Sequence, residues 1–175
     1  MSKLNAVSSQ LILECSGPNC VSEKVLTDGG ISQGFFDWVF DAFEGMASAV
    51  DGELHSTSHP RGLKVWYGDA KKEHYEAQLI RVNNSGDIGL EIGFHVEYSK
   101  DDENQVVLDN LLGRERVWRE ELGDSAVAGR FLGADRWRRI SEVWDAPDPA
   151  DPESTFEIAA RLADYVMAIE PLRRS

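Results

Sequence analysis

Residues 89–99 read GLEIGFHVEYS, and the odd positions Glu91, His95 and Glu97 carry the groups most suited to chemistry. Leu90, Ile92, Phe94, Val96 and Tyr98 alternate with them. A period of two predicts a strand whose successive side chains point to opposite faces. One face is core. The other brings carboxylates and an imidazole together, the types that hold a divalent cation or exchange protons. Consecutive steps of two spread them about 6.6–7 Å apart. Convergence on one ion therefore needs help from the side, and His74 and Glu76, with Gln78, share a face of the preceding predicted strand. Gly89 and Gly93 leave room for a ligand, or else mark bulges or close packing. Antiparallel sheets commonly wet one face. The expectation is thus a solvated or chain-covered face, with no metal and no cofactor, and an enzyme is the less favoured reading.

Other motifs are incomplete. His55 and His59 in HSTSH have the i, i+4 spacing of helical metal ligands, but Gly52 and Pro60 flank them and no Glu follows the first histidine. TDGGISQG lacks the Lys-Ser/Thr of a phosphate loop, and no serine is framed as G-x-S-x-G. Glu97 and Lys100 have the residue types of metal-dependent nucleases at the wrong spacing. Cys15 and Cys20 bracket a Gly-Pro-Asn turn with no second ligand pair for zinc.

Seven arginines fall between 114 and 139: Arg114, Arg116, Arg119, Arg130, Arg136, Arg138 and Arg139, with Trp118 and Trp137 interleaved and Trp144 close by. Arginine beside an aromatic suits phosphates and bases. It also suits protein hot spots, and it is equally the ordinary cover of a solvated face. Arg130, Arg136, Arg138, Arg139 and Trp137 are the candidate nucleic-acid contacts.

The elements that must position these residues follow from hydrophobic periodicity. Residues 1–30 are weakly patterned and predicted to be a weakly structured extension, mobile in part. Residues 32–50 predict a helix with Ser32 as N-cap. Its stripe of Phe36, Val39, Phe40, Phe43, Met46, Ala47 and Val50 is widened by Phe35, Trp38 and Ala42. The excess predicts an apolar surface for a partner, with Phe35 and Trp38 as its contacts. Residues 51–62 read as a polar loop. Strands are predicted at 63–67, 73–82 and 88–99, then a helix at 102–122. A hairpin turning at Gly133-Ala134-Asp135 follows. A last helix opens at Asp151-Pro152 and ends at Pro171. The fold class is α+β: a single domain over 31–175, with an antiparallel sheet of about five strands and three helices.

The net charge of −13 works against non-specific binding to nucleic acid or anionic membrane. Leu11-Ile12-Leu13 is too short for a signal peptide. No run approaches the ~18–20 apolar residues of a membrane span. A cytoplasmic location with no membrane contact is expected.

LLGRERVWREELGD and RFLGADRWRRISEVWDAPDPADPESTFEIAARLADYV carry a resemblance. With a strand ending near Glu97, a helix closing on Glu121-Leu122-Gly123, a Trp-Arg-Arg-Ile strand and an Asp-rich linker, the region 75–170 resembles an uncharacterised α+β domain. That domain is found C-terminally in restriction-nuclease-like bacterial proteins. Nuclease activity is not expected to carry over with this resemblance. The element order is also similar to that of type III secretion chaperones and YbjN-like proteins, which implies a small acidic dimer that binds proteins. The leading expectation is therefore a non-catalytic binding module, homodimeric, for a protein partner. A nucleic-acid-associated defence or processing factor, and a metal-dependent hydrolase at the polar sheet face, are the alternatives.

Overall fold

The computed structural model describes residues 33–82, 87–131 and 134–174. The predicted extension, Cys15, Cys20 and Ser32 lie outside them. The elements are α1 (Gln33–Met46), β1 (Leu54–His59), β2 (Gly62–Tyr67), β3 (Glu73–Arg81), β4 (Ile88–Val96), α2 (Asp101–Leu112), α3 (Glu115–Leu122), β5 (Val127–Phe131), β6 (Ala134–Asp145) and α4 (Pro152–Arg174). The strands form one antiparallel sheet in the order β1-β2-β3-β4-β6-β5.

The class is the expected α+β, but with six strands and four helices rather than five and three. The additional strand is β1, read above as loop. Its inward positions Leu54, Ser56 and Ser58 are mostly small and polar, so no hydrophobic alternation marks it. Pairing makes it a strand: His59 lies opposite Gly62 across the two-residue turn Pro60-Arg61, where proline's fixed φ favours turning. A Cβ on Gly62 would come within 2.8 Å of the Ala77 carbonyl oxygen.

The additional helix arises because 102–122 is not continuous. Gly113 ends α2, and α3 restarts after Arg114. Glycine inside a helix costs about 1 kcal/mol. The break turns Trp118 into the core, where its indole N–H donates to the Leu111 carbonyl at 2.9 Å. At the other end of the chain, α4 opens as expected, with the Asp151 carboxylate accepting from the Glu153 amide at 3.0 Å. It runs through Pro171 to Arg174 rather than stopping there. Ala134 and Asp135, expected in a turn, belong to β6.

One face of the sheet carries Leu63, Val65, Tyr75, Ala77, Leu90, Ile92, Phe94 and Ile140, buried under α1 and α4. Each helix packed on the sheet is also tied to this face. Asp37 of α1 accepts from Ser58 of β1. Asp101 and Gln105 of α2 bind Arg138 of β6. In α4, Glu170 accepts from the Tyr75 hydroxyl at 2.7 Å, and Arg161 grips Glu142. Register then places His74, Glu76, Gln78, Glu91, His95, Arg139 and Ser141 on the face turned away from these helices. No helix among the described residues is long and apolar enough to cross a membrane.

Candidate functional site

The β3–β4 register sets His74 directly opposite His95, Glu76 opposite Gly93 and Gln78 opposite Glu91. Glu76 therefore faces a residue without a side chain, and its carboxylate occupies the gap between the two imidazoles. Its Oε2 lies 3.4 Å from His74 Nε2 and 3.3 Å from His95 Nδ1. Glu97, just beyond β4, brings Oε1 to 3.7 Å from His74 Nε2. The Glu97 amide donates to the Lys72 carbonyl at 2.8 Å. Its neighbour Tyr98 is clamped by Asn104, which bonds both its amide and its carbonyl. Among the described residues, His74, Glu76, His95 and Glu97 form one group whose donor atoms all lie within 4.8 Å of one another.

Of the two expected states, solvated or chain-covered, the centre of the face is in the covered one. His74, Glu76, Glu91 and His95 are all buried. Larger side chains close over them: Phe131 packs edge-on against His95 with ring centroids 5.0 Å apart, and Trp137 stands behind Phe131. Lys64 of β2 reaches across, 3.2 Å from Glu97 Oε2 and 3.7 Å from Glu76 Oε2.

Glu91 belongs to a different set. Its Oε1 accepts from Arg139 at 2.8 Å and from the Ser141 hydroxyl at 2.6 Å, and its Oε2 accepts from Gln78 at 3.2 Å. It is satisfied within the protein. Gly93 makes this possible by close approach of strands, not by admitting a ligand: a Cβ there would stand 2.4 Å from the Ile140 carbonyl oxygen. Gly89 is likewise packed, its Cβ position 2.9 Å from the Trp144 carbonyl oxygen.

The electrostatics follow from burial and from these contacts. Burial pushes His95 down, but the Glu76 and Glu91 carboxylates beside it outweigh that and hold it up to about 9. Burial pushes Glu91 up, but His95, Ser141 and Arg139 bring it down to about 2. Glu76 is likewise lowered overall, by His74, His95 and Lys64 against its own burial. His74 is lowered, chiefly by burial. Its Nδ1 sits 3.1 Å from the Lys71 carbonyl. A carbonyl only accepts, so Nδ1 carries a proton, and the ring turns Nε2 toward Glu76 and Glu97. His74 Nε2 and both ring nitrogens of His95 are buried without a hydrogen-bond partner, the carboxylates near them being at ion-pair distance but not aligned for a hydrogen bond.

The remaining sequence candidates are dispersed. Arg138 is buried on the helix face, held by Asp101 and Gln105. Arg139 is buried on the opposite face, held by Glu91. Arg130 and Arg136 are exposed and Trp137 is half-buried. The arginine group thus spends two of its four candidate cations inside the protein. Phe35 is in the core, whereas Trp38 is 47% exposed. His55 stacks on Trp66 at 5.4 Å, and His59 Nδ1 accepts from the Arg61 amide at 3.2 Å, outside the four-residue group. Two surface depressions, one between the end of β6 and α4 and one between α2 and the end of α4, do not touch that group.

Sequence reasoning missed Lys64 and Ser141 as partners of this face. The signal was available for both. Lys64 alternates with Leu63 and Val65, and Ser141 alternates with Ile140 and Glu142, so each has the parity of the polar face.

Comparison with protein-family models, with curated proteins and with solved structures finds no match.

Proposed function

We propose that this chain is a cytoplasmic, non-catalytic binding module that engages a protein through the open edge of β1, and that a second copy of the chain occupies that edge in a homodimer. One observation carries the reading: among the described residues β1 ends the sheet with no strand paired to its outer side, and α1, the helix bonded to it, exposes Trp38. Trp38 follows Asp37 on α1, and Asp37 accepts a hydrogen bond from Ser58 of β1. Strand β1 is LHSTSH, with no proline, lysine or acid in its six residues, the devices that usually blunt an edge.

The Gly68 amide donates to the Glu53 carbonyl at 2.9 Å. Antiparallel pairs alternate in bonding direction. His55, Thr57 and His59 therefore bond inward to β2, and the amides and carbonyls of Leu54, Ser56 and Ser58 point outward. That outward row is what an added strand needs. The acids Asp37, Asp41 and Glu44 on the exposed side of α1 repel a second acidic copy, so association strengthens as salt screens them.

Light scattering up to ~100 μM, where weak specific interfaces are populated, tests this. A dimer is expected, and Ser56→Pro is expected to yield a monomer with native far-UV circular dichroism, because its lost N–H faces away from β2. A wild-type monomer throughout that range contradicts the reading.

A further inference from the structure

We infer that His74, Glu76, His95 and Glu97 form a binding site for one divalent first-row transition cation, with Zn²⁺ the best-fitting ion. This does not depend on the partner-binding reading, since the group lies on β3 and β4 and the proposed docking edge is β1.

Geometry is the first support. Four donors at about 2.1 Å from a tetrahedral Zn²⁺ stand about 3.4 Å from one another. The separations here are 3.4 Å for His74 Nε2 to Glu76 Oε2, 3.3 Å for His95 Nδ1 to Glu76 Oε2 and 3.7 Å for His74 Nε2 to Glu97 Oε1. All four donors fall within 4.8 Å. The donor set agrees: imidazole with carboxylate suits zinc and its neighbours, whereas Mg²⁺ and Ca²⁺ prefer oxygen alone.

The second support is independent of the spacing. Two fully buried histidines aim unpartnered nitrogens at carboxylates. His74 is oriented by its Nδ1 contact to the Lys71 carbonyl, the arrangement that orients metal-bound imidazoles generally. That orientation sets the buried Nε2 3.4 Å from Glu76 Oε2 and 3.7 Å from Glu97 Oε1 with no hydrogen bond to either, an arrangement that a cation between them would satisfy. Lys64 does not fill this role. Its ammonium meets Glu97 Oε2 and Glu76 Oε2, whereas both imidazoles keep buried nitrogens without a hydrogen-bond partner. By holding Glu97 Oε2, Lys64 leaves Oε1 facing His74.

The test is calorimetric titration of ZnCl₂ into chelator-treated, full-length Cys15→Ser/Cys20→Ser protein, which removes the thiols as competing ligands. One saturable equivalent is expected. His74→Gln and His95→Gln are each expected to weaken it by about 100-fold or more, the upper end of what even a supporting group contributes. His55→Gln/His59→Gln is expected to leave it unchanged. X-ray absorption at the zinc edge of the unsubstituted site reads the ligands without relying on the folding of a variant, and two imidazoles with oxygen donors are expected. Absence of saturable Zn²⁺ binding, binding that survives both His74→Gln and His95→Gln, or a coordination shell without imidazole would each overturn the proposal.

Discussion

His74 and His95 face each other across the β3–β4 pair with ring centroids 5.6 Å apart, and the Glu76 carboxylate lies between them. Gly93 opposite Glu76 creates the gap that the carboxylate fills. A charged, buried group in the middle of a sheet has consequences for pH, for substitution and for packing.

In metal-free protein, His95 is held up to about 9 against an ordinary 6.5. A raised imidazole stabilises the fold fully below about pH 6.5 and loses that contribution as pH rises through about 9. The difference corresponds to roughly 3 kcal/mol. Glu91, lowered to about 2, acts in the opposite direction: its contribution is present above about pH 4.5 and is lost as pH falls through about 2. Urea midpoints at pH 6 and pH 10 in the presence of a chelator are expected to fall for the wild type more than for His95→Gln. Equal falls would show that His95 is not held protonated.

The pair Glu91–Arg139 is buried and bonded at 2.8 Å, with Ser141 and Gln78 completing the carboxylate. Removing one member of such a pair strands a charge and costs about 3–5 kcal/mol. Arg139→Met is therefore expected to destabilise strongly, and Glu91→Leu/Arg139→Met to be more stable than the sum of the single changes. Additive effects in a double-mutant cycle would mean that the two groups are not coupled.

Gly93→Ala must push its Cβ against the Ile140 carbonyl and Ser141. Overpacking of this kind costs about 1–3 kcal/mol or more. Gly129 has no atom within 4 Å of its Cβ position, and Gly129→Ala is expected to stay within about 0.5 kcal/mol of the wild type. Comparable losses at both positions in urea unfolding would contradict this account of the β4–β6 approach.

The parts of the fold legible in the sequence were those with a clean period. β3, β4 and β6 alternate, α1 and α4 carry apolar stripes, and Asp151-Pro152 marks its helix start. β1 was not legible because Ser56 and Ser58 fill two of its three inward positions, so only pairing with β2 makes it a strand. The α2–α3 break falls at Gly113-Arg114, which a periodic reading of Val107, Leu108, Leu111, Leu112, Trp118 and Leu122 passes over. For the candidate site, parity alone placed His74, Glu76, Glu91, His95 and Glu97 on common faces. Parity says nothing of register, so it could not set His74 opposite His95 or seat Glu76 over Gly93. Nor could it separate Glu91, claimed by Arg139 and Ser141, from the four that converge. Burial was illegible for the same reason: Phe131 and Lys64 reach the group from β5 and β2, far away in sequence.

Residue-resolved amide hydrogen exchange tests most directly whether β1 is a docking edge. The amides of Leu54, Ser56 and Ser58 point away from β2, whereas those of His55 and Thr57 bond to it. On raising the protein from dilute solution to ~100 μM, protection is predicted to rise at Leu54, Ser56 and Ser58 and to stay level at His55 and Thr57. Exchange at Leu54, Ser56 and Ser58 that is independent of concentration, in a sample that light scattering shows to be dimeric, would place the interface elsewhere and contradict the account.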